Sequence, residues 1–262
     1  MTELSVILPI SKVDNFLKES LLSIGNQSFR NFRLLVIVPT EIENDIKTFI
    51  LEIKQLHDIE IKFLTQDLMG ISFALNLGVN NCNTEFIARM DADDISTPLR
   101  FEKQISYLKS NPDFGIVGSK VYLINKFGQK FEKWSFKFFE NDKQIRSALR
   151  YRMPLCHPAL MFRTNVLKEL KGYLYGSTAE DHELFLRMMR CTDYKFYNLP
   201  DIDFFYRRHD SQLTNSERAM IAYRDIAAFL FREFLYTHDI VFIFGIFANH
   251  PFLRKMRSLL RK

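Results

Sequence analysis

The N-terminal part of the chain alternates between two hydrophobic patterns. Short apolar runs, typical of strands buried on both faces, occur at 3–11, 32–39, 59–64 and 85–90. Between these runs, apolar residues recur every three or four positions, which is the spacing of an amphipathic helix. The clearest example is the set Ile42, Ile46, Ile50 and Ile53. Alternating strands and helices predict a parallel sheet covered by helices, the α/β class.

Beyond residue 112 the pattern becomes a mixture of strands and helices. Extended segments are predicted at 114–124, 129–139, 157–163, 194–199 and 201–208, and helices at 142–151 and 180–190. No linker rich in glycine, serine or proline separates the two parts. We therefore expect one domain over 1–215, followed by a helical tail over 216–262.

Composition and charge narrow the range of partners. The 262 residues are 47% hydrophobic and 26% charged, as in ordinary globular proteins, and the net charge of +5 suits an anionic partner. Acidic residues are interspersed with the basic ones over most of the chain, so nucleic acid is not expected. Cys82, Cys156 and Cys191 are scattered and are predicted to be reduced thiols of a cytosolic chain. The start, MTELSVILPI, does not resemble a signal peptide.

Three carboxylates crowd the stretch IARMDADDIS, at the end of the fourth predicted strand. If the extended conformation persists, Asp91 and Asp93 point to the same side. Their repulsion, roughly a few kcal/mol at an intermediate dielectric, is relieved by a divalent cation, and oxygen ligands favour magnesium or manganese. The alternative is a solvated acidic turn in which Asp94 or Ser96 caps the helix predicted to begin at Pro98.

Several segments resemble glycosyltransferase family 2 in both sequence and order. They are SVILPIS, SLLSIGNQSFRNF, GISFALNLGVNNCNTEFIARMDADDISTPLRFEKQI, HPALMF, GY at 172–173, AEDHELFLR and YRRH. The resemblance covers about residues 4–215. It is nearest to bacterial enzymes that add one sugar to a lipid-linked O-antigen, capsule or exopolysaccharide precursor.

This resemblance implies a GT-A fold, a nucleotide-sugar donor (expected to be a UDP-sugar), and inversion at the anomeric carbon. Residues 1–112 would bind the donor and 113–215 the acceptor. Asp93 would be the ligand of Mn²⁺ or Mg²⁺, Asp91 would face the ribose and the metal shell, and Asp181 would be the catalytic base.

Other candidate residues lie on either side of the expected reaction centre. On the donor side they are Pro9, Ser11, Asn76, Arg89, Arg207, Arg208 and His209, and on the acceptor side His157 and Glu180. Three of the candidate residues, Asp181 included, have a structural alternative. Asp181 fits a capping box with Thr178 as the helix cap, His157 can be a satisfied buried histidine, and Asn76 can lie on a solvated helix face.

The chain departs from the family pattern where the nucleotide base is usually bound. Val38 and Pro39 stand in place of an acidic pair, and Ser11 and Lys12 replace an aromatic residue and an asparagine. We therefore expect base recognition through Glu41, Lys12 or backbone groups.

The C-terminal tail has the composition of a membrane-surface segment. Residues 226–248 are apolar but interrupted by charges, so no bilayer span is predicted. On a helix, 252–262 would separate apolar residues from five basic ones. We expect 241–262 to contact the inner face of the bacterial cytoplasmic membrane, where a polyisoprenyl-diphosphate acceptor would lie. The alternative is a helix docked on its own domain or on a second subunit, and an oligomer remains open.

Two other functional classes compete with a glycosyltransferase. A nucleotidyltransferase that makes activated sugars would share the α/β start and the paired aspartates, but it needs a glycine-rich phosphate loop, and LPISKVDNF contains no glycine. A non-catalytic basic protein that binds membranes would need no metal and would tolerate Asp181→Asn.

Overall fold

A mixed nine-stranded sheet forms the centre of the molecule. The structure is a computed structural model, and the sheet is formed by its described residues. The description omits residues 1, 69, 136, 175–177, 210–218 and 254–262, and the side chains of 55 and 132–135.

The first part of the chain alternates strand and helix as predicted. Its elements are β1 (Leu4–Pro9), α1 (Asn15–Gly25), β2 (Phe32–Pro39), α2 (Glu43–Leu51), β3 (Glu60–Gln66), α3 (Ile71–Asn80), β4 (Phe86–Arg89), β5 (Ile95–Ser96) and α4 (Arg100–Ser110). β1, β2, β3 and β4 are parallel neighbours, so their carboxyl ends meet at one edge. Period-two alternation divides β1 between two cores. Val6 and Leu8 pack on one face of the sheet, and Ile7 packs on the other.

The second part extends the same sheet with mixed strand directions. Its elements are β6 (Phe114–Asn125), β7 (Lys130–Ser135), α5 (Asp142–Leu149), β8 (Met161–Arg163), α6 (Thr164–Glu169), α7 (Glu180–Cys191) and β9 (Lys195–Arg208). The strands of the sheet lie in the order β3-β2-β1-β4-β8-β6-β9-β5, with β7 paired to β6. The two strands predicted at 194–199 and 201–208 form one strand, β9. Ser119 pairs with Leu199 and Lys120 with Ile202, so Pro200 and Asp201 form a bulge. A bulge accommodates Pro200, because proline has no N–H to donate to the sheet.

Two local predictions are wrong. The segment 157–163 is not a single strand. A one-turn 3₁₀ helix (His157–Ala159) precedes β8, because Pro158 stands at the start of that turn and cannot donate to a neighbouring strand. The helix expected from Pro98 begins at Arg100, and neither Asp94 nor Ser96 caps it.

Two helices follow the sheet, α8 (Ala219–Thr237) and α9 (Val241–Asn249). Leu230 of α8 and Phe242 of α9 are buried in the same core as α7. In the described part of the chain, no helix is both long enough and apolar enough to cross a bilayer. Residues 254–262, which make up most of the predicted amphipathic segment, lie outside the described residues.

The three cysteines are free thiols, as predicted. Cys82 is buried, Cys156 half-buried and Cys191 exposed.

Candidate active site

The acidic cluster lies in a tight turn between β4 and β5. The predicted extension through Asp93 is wrong, because the strand ends at Arg89 and the N–H of Asp94 donates to the carbonyl of Asp91 at 3.4 Å. The turn itself brings the three carboxylates together. One oxygen each from Asp91, Asp93 and Asp94 lies within 4.8 Å of the others.

Side chains from distant parts of the chain hold this turn. The Ser20 hydroxyl on α1 donates to the carbonyl of Asp91 at 2.9 Å. The N–H of Arg207 donates to Oδ1 of Asp94, and its guanidinium Nε donates to the carbonyl of Asp93, both at 2.8 Å. Arg207 is fully buried and also pairs with Glu19 at 2.6 Å. The structure therefore makes Arg207 a support for the turn rather than a group pointing at a ligand.

The cluster has the chemistry of a divalent-cation site. Burial, together with repulsion from Asp93 and Asp91, raises the pKa of Asp94 well above its usual range. Oδ2 of Asp94 is buried and has no hydrogen-bond partner among the described residues. His209 Nε2 lies 2.9 Å from Oδ2 of Asp93, and its ring packs 4.8 Å from that of Phe16. Magnesium and manganese both accept carboxylate oxygens, and manganese also accepts imidazole, so these residues fit such an ion.

Arg89 connects the acidic turn with the start of α7. Its guanidinium is buried and lies 2.9 Å from Oδ1 of Asp91. Burial disfavours the charged guanidinium, but attraction to Asp91 and Glu180 outweighs this cost and raises the pKa of Arg89. Asp181 contributes in the same direction. The predicted base and the predicted metal cluster therefore belong to one electrostatic neighbourhood.

The first turn of α7 carries Glu180 and Asp181. Burial raises the pKa of both carboxyls, and that of Glu180 reaches about 7 with a further contribution from Asp181. The next residue, His182, fixes this turn because its Nε2 lies 2.8 Å from the carbonyl of Leu149. The predicted capping box is wrong. The cap position is Ala179, and the Thr178 hydroxyl instead lies 3.3 Å from Asp225 on α8.

A buried cluster lies behind Glu180. His157 Nε2 is 2.8 Å from the Tyr173 hydroxyl, and its Nδ1 is 3.9 Å from Glu180. Burial and the positive charge of Arg89 lower the pKa of His157 well below its usual value, so its imidazole is neutral.

Asn76 is not on a solvated face. Its amide exchanges two hydrogen bonds of 2.8 Å with the backbone of Tyr173. Asn76 therefore fixes residues 171–174, which we call the Tyr173 loop.

The remaining predicted residues lie at the carboxyl edge. Pro9 ends β1, Ser11 lies two residues beyond it, and Arg208 is an exposed residue at the end of β9. In the region expected to bind the base, Lys12 pairs with Asp14 at 3.0 Å. At the ends of β2 and β3, the Thr40 hydroxyl donates to Asp67 at 2.7 Å. Asp67 is an acidic group at this edge that the sequence pattern did not single out.

Sequence reasoning also missed two buried polar residues on α4. Arg100 is fully buried and donates to the carbonyls of Arg89 and Leu160, at 2.9 and 3.2 Å. Gln104 donates to the carbonyl of Ala159 at 2.9 Å and accepts from Arg100 at 3.2 Å. Burial lowers the pKa of Arg100 to about 9. The four-residue spacing of these polar side chains on an otherwise apolar face was the available signal.

Comparison with known proteins identifies the family. The model for Glycosyl transferase family 2 matches residues 5–171. O-antigen biosynthesis glycosyltransferase WbnJ of Escherichia coli is 33% identical over 247 residues, covering 88% of this chain and 89% of WbnJ. The UDP-Gal:alpha-D-GlcNAc-diphosphoundecaprenol beta-1,3-galactosyltransferase of Escherichia coli is 27% identical over 197 residues, covering 71% of this chain and 67% of that enzyme.

Solved structures share the fold at lower sequence identity. S. aureus TarS 1-349 in complex with UDP-GlcNAc superposes with a TM-score of 0.66 at 16% identity, covering 89% of this chain and 66% of that one. Mannosyltransferase PcManGT from Pyrobaculum calidifontis, in complex with GDP-Man and Mn²⁺, has a TM-score of 0.64 at 15% identity, covering 94% and 72%. The expected GT-A fold is confirmed. The chain belongs to glycosyltransferase family 2 and is a glycosyltransferase.

Proposed function

We propose that this enzyme is an inverting, metal-assisted transferase. It moves a sugar from a nucleoside-diphosphate donor, expected to be a UDP-sugar, to a hydroxyl of a lipid-linked or surface-polysaccharide precursor. One observation carries the proposal. Arg89 pairs with Asp91 of the acidic turn. The negative charges of Glu180 and Asp181, at the start of α7, also attract its guanidinium and raise its pKa.

The donor half of the reaction is assigned to the carboxyl ends of β1 and β4. In open α/β sheets, ligands bind beyond the carboxyl ends of the strands. Asp93, together with Asp91 or Asp94, would hold Mn²⁺ or Mg²⁺, and His209, which lies beside Asp93, would offer a further nitrogen ligand. When bound, such an ion stabilises the negative charge that develops on the departing diphosphate. Pro9, Ser11 and Arg208 lie along the same edge and would contact the donor.

Asp181 is assigned as the general base. It would take the proton from the acceptor hydroxyl while the oxygen of that hydroxyl attacks the anomeric carbon. Its raised pKa makes it a stronger base than an exposed aspartate, provided that it is ionised. Glu180 and His157, buried beside it, would contact the acceptor or hold the base in position.

The printed names of relatives and structural neighbours support the proposed classes of donor and acceptor. One is named for O-antigen biosynthesis, and another for a UDP-Gal donor and a diphosphoundecaprenol-linked acceptor. The structural neighbours bind UDP-GlcNAc or GDP-Man, the latter with Mn²⁺. A polyisoprenyl-linked acceptor would bring the enzyme to the inner face of the cytoplasmic membrane.

The test is a transfer assay with the full chain, Mn²⁺, a panel of nucleotide sugars and a polyprenyl-diphosphate-linked GlcNAc acceptor. We expect transfer from one class of donor, with Asp181→Asn lowering kcat by about 10²- to 10⁴-fold. Asp58→Asn, at an exposed position remote from the carboxyl edge, is the matched control. Full activity in Asp181→Asn would remove that residue from the chemistry. A parallel reaction with UTP and a sugar 1-phosphate tests the nucleotidyltransferase alternative, and product formation there would refute the proposal.

A further inference from the structure

One face of α9 is packed tightly against the protein. Phe242 is buried in the core, and the side-chain amide of Asn249 donates to the carbonyl of Tyr151 at 2.9 Å. Gly245 lies close to the backbone of Arg150, the residue before Tyr151. A Cβ added at Gly245 would lie 2.0 Å from the carbonyl oxygen of Arg150. This close approach fixes the rotation of the helix about its own axis.

The opposite face of the same helix is open and apolar. Ile240, Phe244 and Phe247 are 54%, 65% and 60% exposed. With about 100° per residue, these three fall within an arc of roughly 60°, opposite the packed positions. We call these three residues the α9 face. Phe252, just beyond the helix, is 64% exposed as well.

The sequence around the α9 face contains an unusual distribution of charge. Between residues 240 and 253 there is no lysine, arginine, aspartate or glutamate. The next nine residues, 254–262, contain five lysines and arginines and no acidic residue. Exposed aromatic residues followed by a basic cluster are typical of segments that lie in an anionic membrane interface.

We propose that the α9 face docks on the surface of a bilayer that contains anionic lipids. The competing occupant is a second copy of the chain. A two-fold interface would place the same surface of both copies together, and in each copy this surface is followed in the sequence by five positive charges and no negative one. An anionic lipid surface compensates those charges instead, so charge complementarity favours the bilayer.

The contacts of α9 connect this surface with the acceptor side of the enzyme. Tyr151 accepts from Asn249 of α9, and Leu149, two residues earlier, accepts from His182, the neighbour of Asp181. Docking through α9 would therefore hold the start of α7 near the lipid surface. This consequence rests on the proposed function, because it gives the contact a purpose only if the acceptor is lipid-linked. Lipid binding itself does not depend on catalysis.

The test is sedimentation of the full chain with vesicles of phosphatidylcholine, with or without phosphatidylglycerol, in the absence of donor. We expect binding only to the anionic vesicles, and a loss of at least about tenfold in Phe244→Ser/Phe247→Ser. Leu51→Ser/Phe127→Ser, which removes two other exposed apolar side chains, serves as the control and should bind like the wild type. Circular dichroism of each variant checks that it is folded.

Two results would overturn the proposal. One is unchanged vesicle binding by the α9 variant. The other is a wild-type dimer in light scattering, a monomeric α9 variant, and no vesicle binding by either protein. That combination would make the face a subunit interface. Because no donor is present, neither result depends on whether the proposed transfer reaction is found.

Discussion

At the scale of single residues, the ionisation of the first turn of α7 controls the proposed chemistry. Asp181 must be ionised to accept a proton, yet burial raises its pKa. The neighbouring Glu180, with a pKa of about 7, is partly protonated at neutral pH. Arg89 acts in the opposite direction, because its positive charge lowers the pKa of both carboxyls.

The sign of these shifts predicts the pH dependence. As pH falls through the raised pKa of Asp181, the base becomes protonated, so kcat should begin to decline at a higher pH than an exposed aspartate would give, and the decline should approach roughly a tenfold loss per pH unit. Glu180→Gln removes one negative charge beside Asp181 and should move the acid limb to lower pH. The measurement is the pH profile of kcat at saturating donor and Mn²⁺. A profile with no acid limb, or with an acid limb no higher than that of an exposed aspartate, would contradict the assignment of Asp181 as base.

Gly172 shows how one backbone position supports the site. It has a φ of +67°, and an added Cβ would lie 2.2 Å from Oδ1 of Asn76, the residue that holds the Tyr173 loop. Gly128 provides a matched control, since its φ is +78° and its Cβ position is open.

We expect Gly128→Ala to cost about 1–2 kcal/mol from left-handed strain alone. Gly172→Ala should cost about 1–3 kcal/mol more, because it also overpacks Asn76. Urea unfolding of both variants measures the difference. Equal losses would show that the contact between Gly172 and Asn76 does not constrain the loop.

The sequence was informative about residue types at the site but not about their geometry. The cluster of Asp91, Asp93 and Asp94 was predicted from its position after a buried strand, and the carboxylates do converge. They converge through a turn rather than through strand alternation, since Ser20 and Arg207 from remote segments bind its backbone. Such partners lie 71 and 114 positions away and leave no periodic signal.

At the scale of elements, a buried ionic network joins α7 and α8. Glu183 on α7 binds Arg187 and Arg232 at 2.9 and 3.0 Å. Glu233 on α8 binds Arg190 and Arg232 at 3.0 and 2.9 Å. Both glutamates are fully buried. The guanidinium of Arg187 also donates to the carbonyls of Leu170 and Gly172, so the network fixes the Tyr173 loop to the helix that carries Asp181.

Breaking this network should be costly. Glu233→Gln leaves Arg190 without its carboxylate and Arg232 with Glu183 alone. Removal of one member of a buried pair costs about 3–5 kcal/mol, and this is an upper value here because both arginine side chains are 26% exposed. The control is Glu43→Gln on α2, which breaks an exposed pair with Lys47 at 2.6 Å and should cost less than about 1 kcal/mol. Chemical denaturation compares the two. If they destabilise the chain equally, α8 is not held to α7 by this network.

Element prediction succeeded where the pattern is local. The run at 32–39 coincides with β2, and Ile46, Ile50 and Ile53 are buried as their spacing indicated. It failed where distant contacts decide the conformation. The two-residue strand β5 forms because Ile95 and Ser96 pair with Phe205 and Phe204 of β9. The predicted capping box at Thr178 does not form, because the Thr178 side chain contacts Asp225 of α8 instead.

At the scale of the whole molecule, the sheet brings remote parts of the sequence to one edge. The parallel strands β1 and β4 end together, and β9 returns from the far side of the sheet to place Arg207 and His209 against the acidic turn. The α/β class and the GT-A fold were predictable from alternation and family resemblance. The packing of α8 and α9 into the second core was only the alternative to a membrane-surface tail, because the sequence pattern did not distinguish a helix docked on its own domain from one that lies on a bilayer.

The central claim is that the turn after β4 binds a divalent cation together with the donor's diphosphate. Calorimetric titration of the full chain with UDP and GDP, each with Mn²⁺ or with EDTA, tests this claim most directly. We predict that one nucleotide binds with Mn²⁺, and that EDTA or Asp93→Asn weakens binding at least about tenfold, while Asp58→Asn does not. Equal nucleotide affinity with Mn²⁺ and with EDTA, or an unaltered affinity in Asp93→Asn, would contradict it.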